Sequence, residues 1–411
     1  MIKSKLFITL ASAIFLASII SYGTYKANGT NSFSRVSPIN QVKDNNEILP
    51  KTEKSLVTNI DKPKSNTKSN KIQVALLLDT SGSMSGLIEQ AKSQLWQILN
   101  QLAKTEKEND KETVLEVALY QYGSPYATRD KLQIQQLTPF TTDMDLISEK
   151  LFVLGTSGGD EYCGAVIGKS LSQLNWADDK DDLKMIFIAG NEPFTQGPID
   201  FKSSCNDAAG KSIVVNTIFC GNWEEGIQTN WKTGADMTNG EYMNIDHNQK
   251  TTYISTPFDD AISELNEDLN KTYIPYGSEG ISKQENQRNQ DNNASSYSKS
   301  NVVERTIFKN SRAYKSSDWD LVDAYKDDKE VLKNVDVKVD SLQNISTEEL
   351  ELKVQEMSAE RKRIQKEIME TNMQREEYIL NNAEEQTDNN LKNSILNAID
   401  KQAKKKGFVK N

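Results

Sequence analysis

Apolar and polar positions divide the chain into segments of different character. Leu6 to Tyr22 is apolar almost throughout, LFITLASAIFLASIISY, with Lys3 and Lys5 ahead of it. Residues 28–70 are rich in Asn, Ser, Lys and Pro and show no apolar period. Short apolar runs and helix-period stretches then alternate for roughly 200 residues, the signature of a mostly parallel sheet with helices on both faces.

The first run, Ile72-Gln73-Val74-Ala75-Leu76-Leu77-Leu78, is nearly continuous, which suits a central strand covered on both sides. Leu87, Ile88, Ala91, Leu95, Ile98, Leu99 and Leu102 follow at helical spacing. Further strands are expected at Val114–Tyr120, Leu132–Gln135, Met185–Ala189 and Ile213–Phe219. Helices are expected near Met144–Leu151, Tyr162–Leu174, Cys205 and Pro257–Leu269. The chain turns polar after Tyr276, with NQRNQDNN at Asn286–Asn293, and short helices are expected at Val302–Phe308 and Trp319–Ala324.

A long helix is expected from Ser346. Ser346 and Glu349 fit a capping box, flanked by Ile345 and Leu350 as a staple. Leu350, Met357, Ile364, Thr371 and Tyr378 repeat every seventh residue, and Val354, Arg361, Ile368 and Arg375 form a second row. This heptad seam with polar defects serves either self-association or packing on its own domain. The reading divides the chain into 1–27 (signal peptide or membrane anchor), 28–70 (flexible linker), 71–276 (α/β domain), 277–345 (polar linker with short helices) and 346–411 (coiled-coil-like helical extension).

Composition narrows the function. The 411 residues carry a formal charge of -10, which argues against nucleic acid as the main partner, because phosphate binding needs a basic face. The only histidine, His247, lies in a polar run and is expected on a surface loop. Zinc sites built on several histidines are thereby excluded. Cys163, Cys205 and Cys220 show no CxxC spacing. Lys3, Lys5 and the apolar run read as an export signal, cleaved or kept as an inner-membrane anchor, with the body outside the cytoplasm in the periplasm or envelope. In that setting a Cys205–Cys220 disulfide and buried free thiols are both open.

The chemical signal is Asp79-Thr80-Ser81-Gly82-Ser83, between the first strand and the next helix. A carboxylate and two hydroxyls at alternating positions converge on one cation. Hard oxygens suit Mg²⁺, with Ca²⁺ or Mn²⁺ as alternatives. DTSGSM after a hydrophobic strand resembles the metal-ion-dependent adhesion site of von Willebrand factor type A domains, over about Lys71 to Tyr276. That resemblance implies a Rossmann-like fold, a metal usually Mg²⁺, and a protein partner that completes the site with an acidic side chain. It also implies a second-loop Thr and a third-loop Asp. Here Asp160, after Gly158-Gly159, and Asn191 take those places, with Glu192 as an alternative acid. GNEPFTQGP, NTIFCGNWEEG and KTYIPYG look like an envelope-associated bacterial subfamily of these domains. The expectation is an exported binding protein, not an enzyme. An envelope assembly factor acting through the long helix is the alternative, and a metal-assisted hydrolase is the third reading. Hydrolysis lacks a histidine near the loops and a clear acid/base pair of carboxylates.

Overall fold

The computed structural model describes residues 69–410 except 110, 126–130, 246–254, 298, 338, 340–341, 344 and 383–388. The segment expected to be an export signal, almost all of the expected linker and His247 lie outside the described residues. Among the described residues no helix is long and apolar enough to cross a membrane.

In chain order the elements are β1 (Asn70–Asp79), α1 (Ile88–Ala103), β2 (Thr105–Lys107), β3 (Thr113–Tyr122), β4 (Ile134–Thr141), α2 (Met144–Phe152), α3 (Cys163–Gln173) and β5 (Leu183–Gly190). Then come α4 (Phe201–Gly210), β6 (Val214–Phe219), α5 (Trp223–Gln228), α6 (Trp231–Asp236), β7 (Tyr242–Asn244) and α7 (Asp259–Asn270). The C-terminal part adds α8 (Gly280–Tyr297), α9 (Lys299–Lys309), α10 (Leu321–Asp327), α11 (Thr347–Asn382), α12 (Asn389–Lys405) and β8 (Phe408–Lys410).

The main sheet has six strands in the order β4-β3-β1-β5-β6-β7. All neighbours are parallel except β4, which runs antiparallel to β3 on the edge. Numbered along the chain within this sheet, the order is 3-2-1-4-5-6, that of a doubly wound Rossmann-like fold. The order reverses between β1 and β5, so a crevice opens beyond Asp79 and Gly190.

β1 shows why its apolar run is continuous. Ile72, Val74, Leu76 and Leu78 point into the core shared with α1, α2 and α7, while Ala75 and Leu77 point into the core under α3, α4 and α6. β5 does the same with Met185, Phe187 and Ala189 against Ile186 and Ile188. Cys220 belongs to the first core and Cys205 to the second. The sheet separates them, and all three cysteines are buried free thiols. Of the two alternatives left open by the sequence, buried free thiols are the one found.

The polar stretch after Tyr276 departs most from its sequence. Residues 280–297, expected as linker, form the 18-residue α8. Gln287, Gln290 and Asp291 on one side of it are buried. Asp291 accepts from Asn266 (3.0 Å) and Asn270 (2.8 Å) of α7, from Arg305 Nε (2.5 Å) and from Lys309 Nζ (2.8 Å). Arg305 also donates to Asp145 of α2 (2.7 Å), which accepts the Tyr314 hydroxyl at 2.7 Å. Two acids and two bases thus balance inside the protein. Burial alone would raise the Asp291 carboxyl, but Lys309 and Arg305 beside it hold it well below the usual carboxylate range.

The heptad seam of α11 lies against its own domain. Leu350, Val354, Arg361, Ile364, Ile368 and Arg375 are buried. The two arginines that look like defects are anchors. Arg361 donates to Asp320 (2.6 Å), to Thr272 Oγ1 (2.9 Å) and to the Thr272 carbonyl (2.8 Å), and its guanidinium sits 4.4 Å from the Tyr273 ring centre. Arg375 Nε reaches Asp259 of α7 at 3.0 Å. Of the two alternatives for this seam, the structure shows packing on its own domain. The capping box forms as expected: Ser346 N donates to Glu349 (2.9 Å) and Glu349 N to Ser346 Oγ (3.1 Å).

Candidate metal centre

The crevice at the strand reversal gathers residues from three loops. Asp79 ends β1, with Oδ1 accepting from Ser81 N at 2.7 Å. A tight turn over Gly82–Met84 brings Ser83 back beside Ser81, Oγ to Oγ 2.8 Å. Ser83 Oγ then donates to Asn191 Oδ1, just past β5, at 2.9 Å. The structure thus brings together Asp79, Ser81, Ser83 and Asn191.

Asp160 does not join them. Its carboxylate is exposed and accepts the Tyr162 hydroxyl at 3.0 Å and Gln133 Nε2 at 3.5 Å. The next residue, Glu161, is 4% exposed and turns the other way, toward Ser81 and Asp79. Gly123, at φ +79, makes room. A methyl group there would lie 2.7 Å from Asp79 Oδ1 and 2.9 Å from Glu161 Cγ, so the two acids flank one spot. Asp160 is bonded outward and Glu161 is buried inward, so only one of the two acids after the glycine pair reaches the crevice. Both stand in the sequence, and nothing there says which.

The electrostatics are those of an under-compensated acid. Burial pushes the Asp79 carboxyl up to about 7, opposed by the hydrogen bond from the Ser81 amide and by the nearby Ser81 hydroxyl, and Glu161 pushes it further up. Among the described residues its buried Oδ2 has no hydrogen-bond partner. The Asn191 amide eases the charge from a geometry short of a hydrogen bond. Gly190 supplies the wall: a methyl there would stand 3.1 Å from Oδ2 and 2.5 Å from the Tyr122 hydroxyl. Burial also raises the Glu161 carboxyl, the nearby Ser81 hydroxyl opposes the rise, and Glu192 and Asp160 add to it.

These groups fit a divalent cation. Two carboxylates balance its charge, and Ser81, Ser83 and Asn191 add neutral hard oxygens. Among the described residues no three His, Cys, Asp or Glu side chains gather as a metal site, so the set depends on the hydroxyls and the amide. The cysteines are inert: burial pushes the Cys205 thiol up to about 12 and those of Cys163 and Cys220 higher still.

A carboxylate and two serines on the turn after β1, in a sheet of this order, match the motif noted in the sequence. The chain resembles von Willebrand factor type A domains. No protein-family model and no curated protein matches it. Solved type A structures do. The VWA domain of SpRpn10 is 14% identical, with 43% of this chain and 88% of that one covered and a TM-score of 0.33. BatB from Bacteroides thetaiotaomicron is 16% identical, with 43% and 90% covered and a TM-score of 0.32. Proximal thread matrix protein 1 from the mussel byssus, with a zinc-occupied MIDAS motif, is 9% identical, with 44% and 43% covered and a TM-score of 0.33. The type A likeness spans less than half of this chain.

Proposed function

We propose that this protein is an exported type A module that binds a protein partner through a divalent cation and carries out no reaction. One observation carries the reading: the buried, unpartnered Oδ2 of Asp79 beside Glu161, with Ser81, Ser83 and Asn191 around it. A buried carboxylate without compensation is costly unless something cationic neutralises it. Asp79, Glu161, Ser81, Ser83 and Asn191 would hold the ion, and Mg²⁺ suits that oxygen set, with Ca²⁺ or Mn²⁺ as alternatives. The bound ion would supply a point of attachment for an oxygen of the partner, an acidic side chain in the arrangement that the type A resemblance implies. Ser81 and Asn191 orient the neighbouring oxygens, and Gly123 and Gly190 keep the crevice narrow. The apolar run at residues 6–22 supports an export signal, cleaved or kept as an anchor, and with it a periplasmic or envelope location.

A second reading, an envelope assembly factor acting through α11, is favoured by the open outward face of that helix. Affinity capture from envelope extract with the full chain separates the two. Partner retained in Mg²⁺, and lost with chelator or in Asp79→Ala, supports the metal reading. Equal retention by Asp79→Ala overturns it in favour of the second.

A further inference from the structure

The side of α11 that faces away from the domain is patterned. Among the described residues, Met369, Met373 and Leu380 are 60%, 70% and 79% exposed. Spaced four and seven apart, they fall on one line of the helix. Leu352, also exposed, lies off that line. Extending it in steps of three and four toward the N-terminus meets Lys366 and Lys362, and between Met373 and Leu380 it meets Glu376. The outward line therefore reads basic, then apolar, then acidic with a terminal leucine. This is a second seam at heptad spacing, opposite the one buried on the domain.

The charge order selects an occupant. A parallel copy would set lysine on lysine and glutamate on glutamate. An antiparallel copy sets Met369 on Met373, Lys366 on Glu376, and the Lys362 stem on Leu380, each contact occurring twice about a two-fold axis. On the flank Arg363 meets Glu377. Glu370 meets its own copy near the axis, and Lys366, 3.6 Å from it in the same chain, offsets that repulsion. We infer that two copies of this chain pair antiparallel through the outward face of α11, centred between Met369 and Met373.

The seam is a single line of side chains on one helix, so a weak dimer, roughly micromolar, is expected. It does not depend on the metal centre and stands or falls separately from the proposed function. Sedimentation equilibrium of the full chain tests it, with a chelator arm to keep the metal out. The wild type is expected to pass from monomer to dimer with rising concentration. Lys366→Glu sets acid against acid at both symmetric contacts and should weaken the dimer about tenfold or more. Glu376→Lys should weaken it similarly, and the double swap Lys366→Glu with Glu376→Lys should restore it. Thermal melts establish that each variant is folded, and the double swap restores pairing only if the two positions meet. A wild type that stays monomeric overturns the inference, as does a dimer equally strong in both single variants, whatever else then covers this face.

Discussion

Ser83 Oγ donates to Asn191 Oδ1 across 2.9 Å, tying the loop after β1 to the loop after β5 over 108 residues of sequence. That bond aligns two neutral oxygens beside Asp79 before any ion arrives. Asn191→Ala should therefore weaken Mg²⁺ binding and leave the fold intact. Isothermal titration calorimetry is expected to give a roughly tenfold loss of affinity, and circular dichroism an unchanged spectrum.

Asp79 sets a trade between stability and binding. Asp79→Asn removes a buried, unpaired charge at constant shape and should stabilise the metal-free protein by about 1–3 kcal/mol. The same variant should lose its response to Mg²⁺. Wild-type protein at roughly a hundred times the dissociation constant should gain about 2.7 kcal/mol. Urea unfolding with and without Mg²⁺ measures both. An Asp79→Asn protein less stable than metal-free wild type would contradict the assignment of an uncompensated acid.

Glu161 and Asp160 are separated by one peptide bond and by their directions. Glu161→Gln is expected to lower Mg²⁺ affinity roughly tenfold or more, whereas Asp160→Asn, bonded outward to Tyr162, should change it less than about threefold. Comparable losses in both would place Asp160 in the site after all.

The buried quartet of Asp145, Asp291, Arg305 and Lys309 sets a pH dependence. The folded Asp291 carboxyl titrates below its unfolded value of about 3.9. Its stabilisation is thus complete above about pH 4 and is lost as pH falls through the folded value. Asp291→Asn leaves Lys309 and Arg305 under-compensated and should cost about 3–5 kcal/mol at pH 7. The gap to wild type should narrow as pH falls below about 4. Urea midpoints across pH 3–7 would show it, and a gap constant with pH would refute it.

The parallel sheet was legible because both faces of β1 and β5 are covered, so each strand is a run of apolar letters. The first loop was legible because Asp79, Ser81 and Ser83 are contiguous. The second was only half legible, since Asp160 and Glu161 are equally acidic and backbone direction alone chooses between them. α8 was not legible at all. Hydropathy scores Gln287 and Asp291 as solvent-facing, yet they are buried because their partners, Asn270, Arg305 and Lys309, come from other helices. Arg361 and Arg375 misled in the same way, as polar defects in a seam that are in fact its ion-paired anchors.

The short ribbon of β2 and β8 has a kinetic consequence. Thr105 pairs with Lys410, and Gln101 bonds Asp400 across 299 residues. Asn216, buried on β6, waits for Gln402. Elements made early thus lack their neighbours until residues near 410 are available. Closing so long a loop is entropically slow, and the half-built sheet is exposed in the meantime. A chain that crosses a membrane N-terminus first is threaded unfolded with ease and gains its last contacts only on the far side. In a chain exported as proposed, late closure of this kind would delay folding until the membrane is crossed.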